Sequence, residues 1–496
     1  MTHLSEPIDR PLELRNFIDG EWVHSRSSEV VDIVNPATSK PVAKAAMSTT
    51  DDVNAAVEAA KSAYMEWQHT TATSRARKLF ALKELLEENF EELSRIQTME
   101  HGKTIDESRG ETRRGIENVE VAAGMPSLMM GRSLENIAVG IDEYTIRQPV
   151  GVFCCIAPFN FPFMVPLWFV PYALATGNTF IVKPSPSVPI SQVKLCELID
   201  EAGFPPGVYN LVHGGADVAT ALLEHPGIVG ATFVGSTPVA RTVYRKCGET
   251  GKRVIAQGGA KNFILVMPDA DLKRTIAALM TSFYGNTGQR CLAGANAIVV
   301  GEDDGLYADF VRSFVDAASR IKIGYGLDES VQMGPLQSAD KKERVLGYIE
   351  VGVEEGAKLT LDGRKMEIAG DYSESCFLGP SVFENVKPSM RIAQEEIFGP
   401  VASILRAKDM DEALHLIHSS PFGNAASIFT ASGKLAREFQ HRVQCGNVGI
   451  NIGIAAPMAF FPFSGMKDSF FGVLHGQGRD AVRFFTESKV IIQRWF

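Results

Sequence analysis

The chain has 496 residues, 45% hydrophobic and 22% charged, a composition that excludes a disordered or low-complexity protein and a length that implies two or three domains. Its 49 basic and 59 acidic residues leave a net charge of −10 spread along the sequence, which excludes a basic footprint for nucleic acid. Seven cysteines, at 154, 155, 196, 247, 291, 376 and 445, fit neither a disulfide framework nor zinc-ligand pairs, so a reducing, cytoplasmic location without a bound metal is expected.

The first residues show no basic flank before an apolar run, so no secretory signal is read there. From about 50 to 124, "DDVNAAVEAAKSAY" and "SRARKLFALKELLEENFEELSRI" place apolar residues three and four apart, predicting helices with Asp51 and Ser74 as caps. The segments at 133–150 and "AVRFFTESKVIIQRWF" read as extended pieces whose exposed edges need a partner subunit. From 150 onward, short apolar runs ("VGVFCCIAP", "TFIVKP", "GVYNLVHG", "ATFVGS") alternate with helical stretches, and "NFILVMP" begins a second series of this kind. That alternation predicts parallel strands with crossover helices in two α/β units. The most apolar stretch, 161–175, is short for a bilayer span and carries three prolines, so it reads as a buried segment and no membrane partner is expected.

Several segments carry polar groups where chemistry can occur, each with a plainer reading beside it. Asn160 in "APFNFPF" follows a strand and can donate its amide to an oxyanion, or simply belong to a Pro-bounded turn. Lys183 in "IVKPSP" can reach a ribose hydroxyl or be solvated. Gly235, Ser236 and Thr237 enter a helix with Pro238 in its first turn, which suits a pyrophosphate or an ordinary cap; the GxGxxG fingerprint is absent. Cys291 in "YGNTGQRCLAG" is either a nucleophile, its thiolate favoured by Arg290, or a small core residue, the reading given to the other six cysteines. Glu395 and Glu396 in "EEIFGPV" can be a surface acidic pair.

Taken in order, "APFNFPF", "IVKPSP", "FVGSTPVA", "QGGAKN", "GNTGQRC" and "EEIFGPV" resemble the motif series of the aldehyde dehydrogenase superfamily over nearly the whole chain. "RRGIENVEVAAGMPSLMMG", "GAKN", "RCLA" and "PMAFFPFSGMKDSFFGVLHGQG" resemble its CoA-acylating branch, the methylmalonate-semialdehyde and malonate-semialdehyde dehydrogenases. The resemblance implies an α/β fold with a Rossmann-type dinucleotide-binding domain (1–124 and 150–257), an α/β catalytic domain (258–446) and a small β oligomerisation unit (125–149 and 475–496) in a homo-oligomer, dimer or tetramer.

By the same resemblance Cys291 is the nucleophile and Asn160 holds the oxyanion. Ala157, Phe159, Lys183, Ser185, Gly235, Ser236, Gln257, Glu396 and Phe398 serve NAD; Arg114, Arg290, Phe161 and Phe461 serve the substrate and CoA. Gln257 falls where hydrolytic members carry the glutamate that activates water, and an amide has no basicity near neutral pH. The resemblance therefore implies transfer of the acyl group from Cys291 to CoA, with decarboxylation, giving acetyl-CoA or propionyl-CoA. Pro186 stands where the family commonly has a glutamate that repels a 2′-phosphate, so NAD is expected from the branch and not from that motif. Two alternatives remain: a hydrolytic aldehyde dehydrogenase that releases free acid, and a non-catalytic dinucleotide-binding protein. The sequence leaves open whether the substrate carries a methyl group.

Overall fold

The computed structural model describes residues 3–370, 372 and 376–496. In the first of its two large sheets the central strand is Val152–Ile156, whose five residues are all buried, as expected when helices cover both faces of a parallel sheet. It pairs in parallel with Thr179–Lys183 on one side and Ile228–Val234 on the other; Tyr209–Leu211 and Arg253–Gln257 continue the parallel core outward. The chain thus fills one half of the sheet and then returns to fill the other. The connections leaving the carboxyl ends of Val152–Ile156 and Ile228–Val234 run to opposite sides of the sheet at this reversal, where an open α/β sheet makes its ligand crevice.

The second sheet has seven strands; Asn262–Val266 lies between Gly294–Val300 and Ala425–Phe429 and is parallel to both, while the edge strand Lys358–Leu361 is antiparallel to its neighbour. Its edge strand Asn447–Ile450 carries this unit past residue 446. Only residues 258–261 separate the end of Arg253–Gln257 from the start of Asn262–Val266, so the carboxyl edge of the first sheet faces the amino edge of the second. Ligands gathered at the first edge meet side chains from the second.

A separate three-stranded sheet combines Ser133–Ala138, Ile141–Pro149 and Thr486–Arg494, with Leu134, Ile137, Val490 and Ile492 exposed. The tail differs from the sequence expectation in its first half. Residues 481–484 belong to the helix Gly478–Phe484, because Ala481, Val482 and Phe484 bury one face in the core of the first unit.

The caps also differ: Thr49, not Asp51, starts the helix Thr50–Trp67 through a capping box with Asp52, and Thr71 accepts the Ser74 N–H at 3.2 Å. Asp51 and Ser74 lie in first turns. The apolar stretch around 161–175 folds into two short helices, Met164–Leu167 and Val170–Thr176, in the core of the first unit. Among the described residues no helix is long and apolar enough to cross a membrane.

Candidate active site

Cys291 stands three residues before the strand Gly294–Val300, after a tight turn in which Asn286 and Thr287 both take positive φ, 54° and 55°. For a β-branched threonine this conformation is costly, so neighbouring contacts must hold it. Thr287 Oγ1 donates to the Gly334 carbonyl at 2.9 Å, Asn286 Nδ2 donates to the carbonyls of Asn160 (3.2 Å) and Gln289 (3.1 Å), and the Asn286 N–H donates to Glu107. The Cys291 carbonyl itself accepts from two side-chain amides, Asn424 Nδ2 at 2.7 Å and Asn262 Nδ2 at 2.8 Å.

A cavity of about 370 Å³ lies before this turn, with Cys291, Asn160, Phe161, Arg114 and Arg290 in its wall. Five residues predicted from separate parts of the sequence therefore share one space. Asn160 Nδ2 donates to the Gln289 carbonyl at 3.0 Å, and Lys103 Nζ holds the Asn160 carbonyl at 2.7 Å. Phe461 is not part of the wall: it is 65% exposed on a turn closed by its N–H to the Met458 carbonyl, and Phe463, two residues on, lines the cavity instead.

Arg290 behaves differently from expectation. Its guanidinium pairs with Glu107 at 3.1 Å, and burial pushes the Cys291 thiol up to about 12 with the Glu396 charge adding to the rise. Arg290 pulls in the expected direction but is outweighed. Arg114, from the helix Ile105–Ala123, is held mainly by neutral acceptors, the carbonyls of Pro457 (3.2 Å) and Ala456 (3.4 Å), with Glu117 at 3.6 Å.

The residues expected to serve a dinucleotide lie along the carboxyl edge of the first sheet. Ala157 follows the central strand and donates its N–H to the Lys183 carbonyl at 3.0 Å. Lys183 Nζ donates to the carbonyls of Pro184 (2.8 Å) and Gly214 (2.9 Å), and burial brings its pKa down to about 8. Ser185 shares a hydroxyl hydrogen bond with Ser187 at 3.1 Å. Ser236 caps the helix Thr237–Glu249 without spending its hydroxyl on it, and a side chain at Gly235 would strike the Phe233 ring.

From the second unit, Glu396 accepts the Ala260 N–H at 2.8 Å and is pushed up to about 7 by burial. Phe398, at φ 59°, meets the Phe159 ring edge-on at 5.8 Å. Gln257 Nε2 donates to the Phe463 carbonyl at 3.3 Å, while its Oε1 is buried without a protein partner. A helix amino end with a glycine cradle suits a pyrophosphate, a carboxylate suits a ribose, and an orphaned amide oxygen suits a carboxamide.

Sequence reasoning missed Asn262, Asn424, Glu107 and Lys261. Glu107 was visible only as half of a capping box with Thr104, and Asn424 only as a Gly-Asn turn before a strand. Lys261 is buried and brought down to about 7, a property no local pattern carries.

The aldehyde dehydrogenase family pattern matches residues 22–491, and the chain belongs to that family. Within it, malonate-semialdehyde dehydrogenase 1 of Geobacillus kaustophilus (strain HTA426) is 48% identical over 482 residues, 97% of this chain and 98% of that one. The crystal structure of methylmalonate-semialdehyde dehydrogenase from Oceanimonas doudoroffii superposes with a TM-score of 0.95 at 40% identity, covering 98% of each chain. Betaine aldehyde dehydrogenase from Staphylococcus aureus, solved in complex with NAD+, superposes at 0.93 with 28% identity over 97% of this chain and 95% of that one.

Proposed function

We propose that this protein oxidises malonate semialdehyde or methylmalonate semialdehyde with NAD and passes the acyl group to CoA. The observation that carries the choice of CoA over water is Gln257, paired in register with the cavity residue Val234 and placed where hydrolytic relatives have a base. Its amide cannot take a proton at neutral pH. A CoA thiol, with a reference pKa near ~8.5, supplies its own thiolate.

In this reading Cys291 Sγ attacks the aldehyde carbon, and Asn160 Nδ2 with the Cys291 N–H donates to the oxyanion. Bound NAD supplies the hydride acceptor. Ala157, Phe159, Lys183, Ser185, Gly235, Ser236, Gln257, Glu396 and Phe398 hold it. What remains on Cys291 is a thioester bearing the substrate's β-carboxylate, which Arg114 anchors, with Arg290 held beside it by Glu107. Loss of CO2 passes the electrons of the broken C–C bond into the thioester enolate, whose oxygen Asn160 stabilises, and the carbon is then protonated. CoA thiolate attacks the carbonyl and Cys291 leaves.

The reading includes a homo-oligomer, supported by the exposed apolar residues of the Ser133–Ala138, Ile141–Pro149 and Thr486–Arg494 sheet. A cytoplasmic location is supported by seven unpaired cysteines. The test is NADH formation from malonate semialdehyde and NAD with and without CoA, followed by mass analysis of the product. CoA-dependent formation of acetyl-CoA is expected.

One observation favours a second reading. Glu396, pushed up to about 7 and close enough to influence the Cys291 thiol, has the basicity of a water-activating group. Full turnover without CoA, yielding malonate, would select it.

A further inference from the structure

Three neighbouring strands of the second sheet start at the edge facing the cavity: Asn262–Val266, Ala425–Phe429 and Asn447–Ile450. Each has a buried asparagine at or immediately before its amino end, namely Asn262, Asn424 and Asn447. These side chains run across the strands as a continuous series of hydrogen bonds. Asn447 Nδ2 donates to the carbonyls of Ser464 (2.8 Å) and Asn424 (3.0 Å), and the Asn447 N–H also donates to Asn424 O at 2.9 Å. Asn424 Nδ2 donates to Cys291 O; Asn262 Nδ2 donates to Cys291 O and, at 2.8 Å, to Ala293 O, while its Oδ1 accepts the Ala425 N–H at 3.0 Å.

A primary amide supplies two N–H donors and an acceptor on one short side chain at a strand start. An apolar residue at 424 would remove one of the two donors on the Cys291 carbonyl, and a buried carbonyl that loses its partners costs the desolvation of that group. One end of the series is the backbone of Cys291. The other is Ser464, beside the cavity residue Phe463, together with the edge strand that exposes Val448 and Ile450.

We propose that Asn424 and Asn447, together with Asn262, are positioning residues that fix the Cys291 backbone so that its sulfur faces the cavity, and that they tie the nucleophile to the edge strand at 447–450. The proposal rests on the reading of Cys291 as nucleophile. The Asn424 amide also favours the Cys291 thiolate, opposing the burial that disfavours it.

The experiment compares full-length wild type with Asn424→Asp, Asn424→Leu and Asn447→Ser. For each, the rate of Cys291 alkylation by iodoacetamide is followed against pH, the site being located by peptide mass, and kcat and KM are measured for NADH formation. Loss of the Asn424 donor is expected to slow alkylation at pH ~8 to ~10 roughly tenfold, the equivalent of about one unit in thiol pKa, and to lower kcat roughly tenfold, with KM values held within about threefold. Asn447→Ser should shift both in the same direction by less. Wild-type profiles in folded variants overturn the proposal. Should neither Asn424 variant melt cooperatively, the Asn447→Ser profile decides alone, an unchanged alkylation rate and kcat overturning it. Wild-type protein that still forms NADH after complete alkylation of Cys291 would instead overturn the nucleophile assignment, so the two failures are told apart.

Discussion

The carboxylate of Glu396 fills the space that a side chain on Gly259 would need, while its other oxygen accepts the neighbouring Ala260 N–H at 2.8 Å. Gly259→Ala must therefore push Glu396 away from its place beside the crevice. We expect NAD affinity to fall about tenfold, the equivalent of about one hydrogen bond to a charged group. Titration by NADH fluorescence checks this; wild-type affinity would remove Glu396 from the cofactor site.

The same carboxylate bears on the thiol. Burial and then Glu396 push Cys291 up to about 12, and Glu396 itself ionises near 7. Below that pH Glu396 is mostly neutral and has little hold on the sulfur. Above it, Glu396→Gln removes a negative charge that disfavours the thiolate, so alkylation at pH ~8 to ~10 should accelerate, while the two proteins react alike at pH ~6. Equal rates across the whole range would mean that the two groups do not interact.

Cys291→Ala should abolish NADH formation and leave dinucleotide binding intact, because the residues expected to hold the cofactor make no use of the sulfur. Appreciable turnover in this variant, measured by absorbance, would end the covalent mechanism.

Gln257→Glu places a base at the end of the strand Arg253–Gln257. CoA-independent release of free acid should rise. A rate of acid release equal to wild type would show that this position does not face the thioester.

The two cavity arginines should separate. Arg114 is held mainly by neutral carbonyls and keeps its charge for a substrate anion, whereas Arg290 is already paired with Glu107. Arg114→Ala should raise KM for the semialdehyde acid roughly 10- to 100-fold, the range for a charge-assisted contact, and barely affect an uncharged aldehyde of equal length. Arg290→Ala should cost stability as well, since it leaves Glu107 half-buried without its cation. Parallel kinetics and denaturant melts of both variants would reveal any failure of this division.

At the cavity wall, Glu111 forms a fully buried ion pair with Lys103 and also accepts the N–H groups of Phe163 (2.9 Å) and Met164 (3.1 Å). Breaking such a pair from one side strands a charge away from water. Glu111→Gln is expected to lower unfolding stability by about 3–5 kcal/mol in urea titration.

The motifs around Asn160, Lys183 and Ser236 were legible because each closes or follows a short apolar strand, and that around Cys291 because its glycine-rich turn precedes one; local sequence patterns report strand boundaries well. Gln257 was legible for a different reason: it is an exception to a recognised motif. Phe461 and Phe463 could not be told apart, since two phenylalanines in one irregular segment differ only in what the fold brings up to them. Asn424 was missed because a Gly-Asn pair before a strand looks like an ordinary turn, and its partner Cys291 lies 133 residues away.

By itself the sequence determined the alternation of strands and helices and the amide at 257, because periodicity and residue chemistry are local properties; the roles proposed for Cys291 and Asn160 come from the resemblance of the ordered motifs. Tertiary structure alone decided the acidity of Cys291, the pairing of Arg290 with Glu107 and the clamp on the Cys291 carbonyl. Those depend on burial and on distances between segments far apart in the chain, and both come into being only when the carboxyl edge of one sheet meets the amino edge of the other.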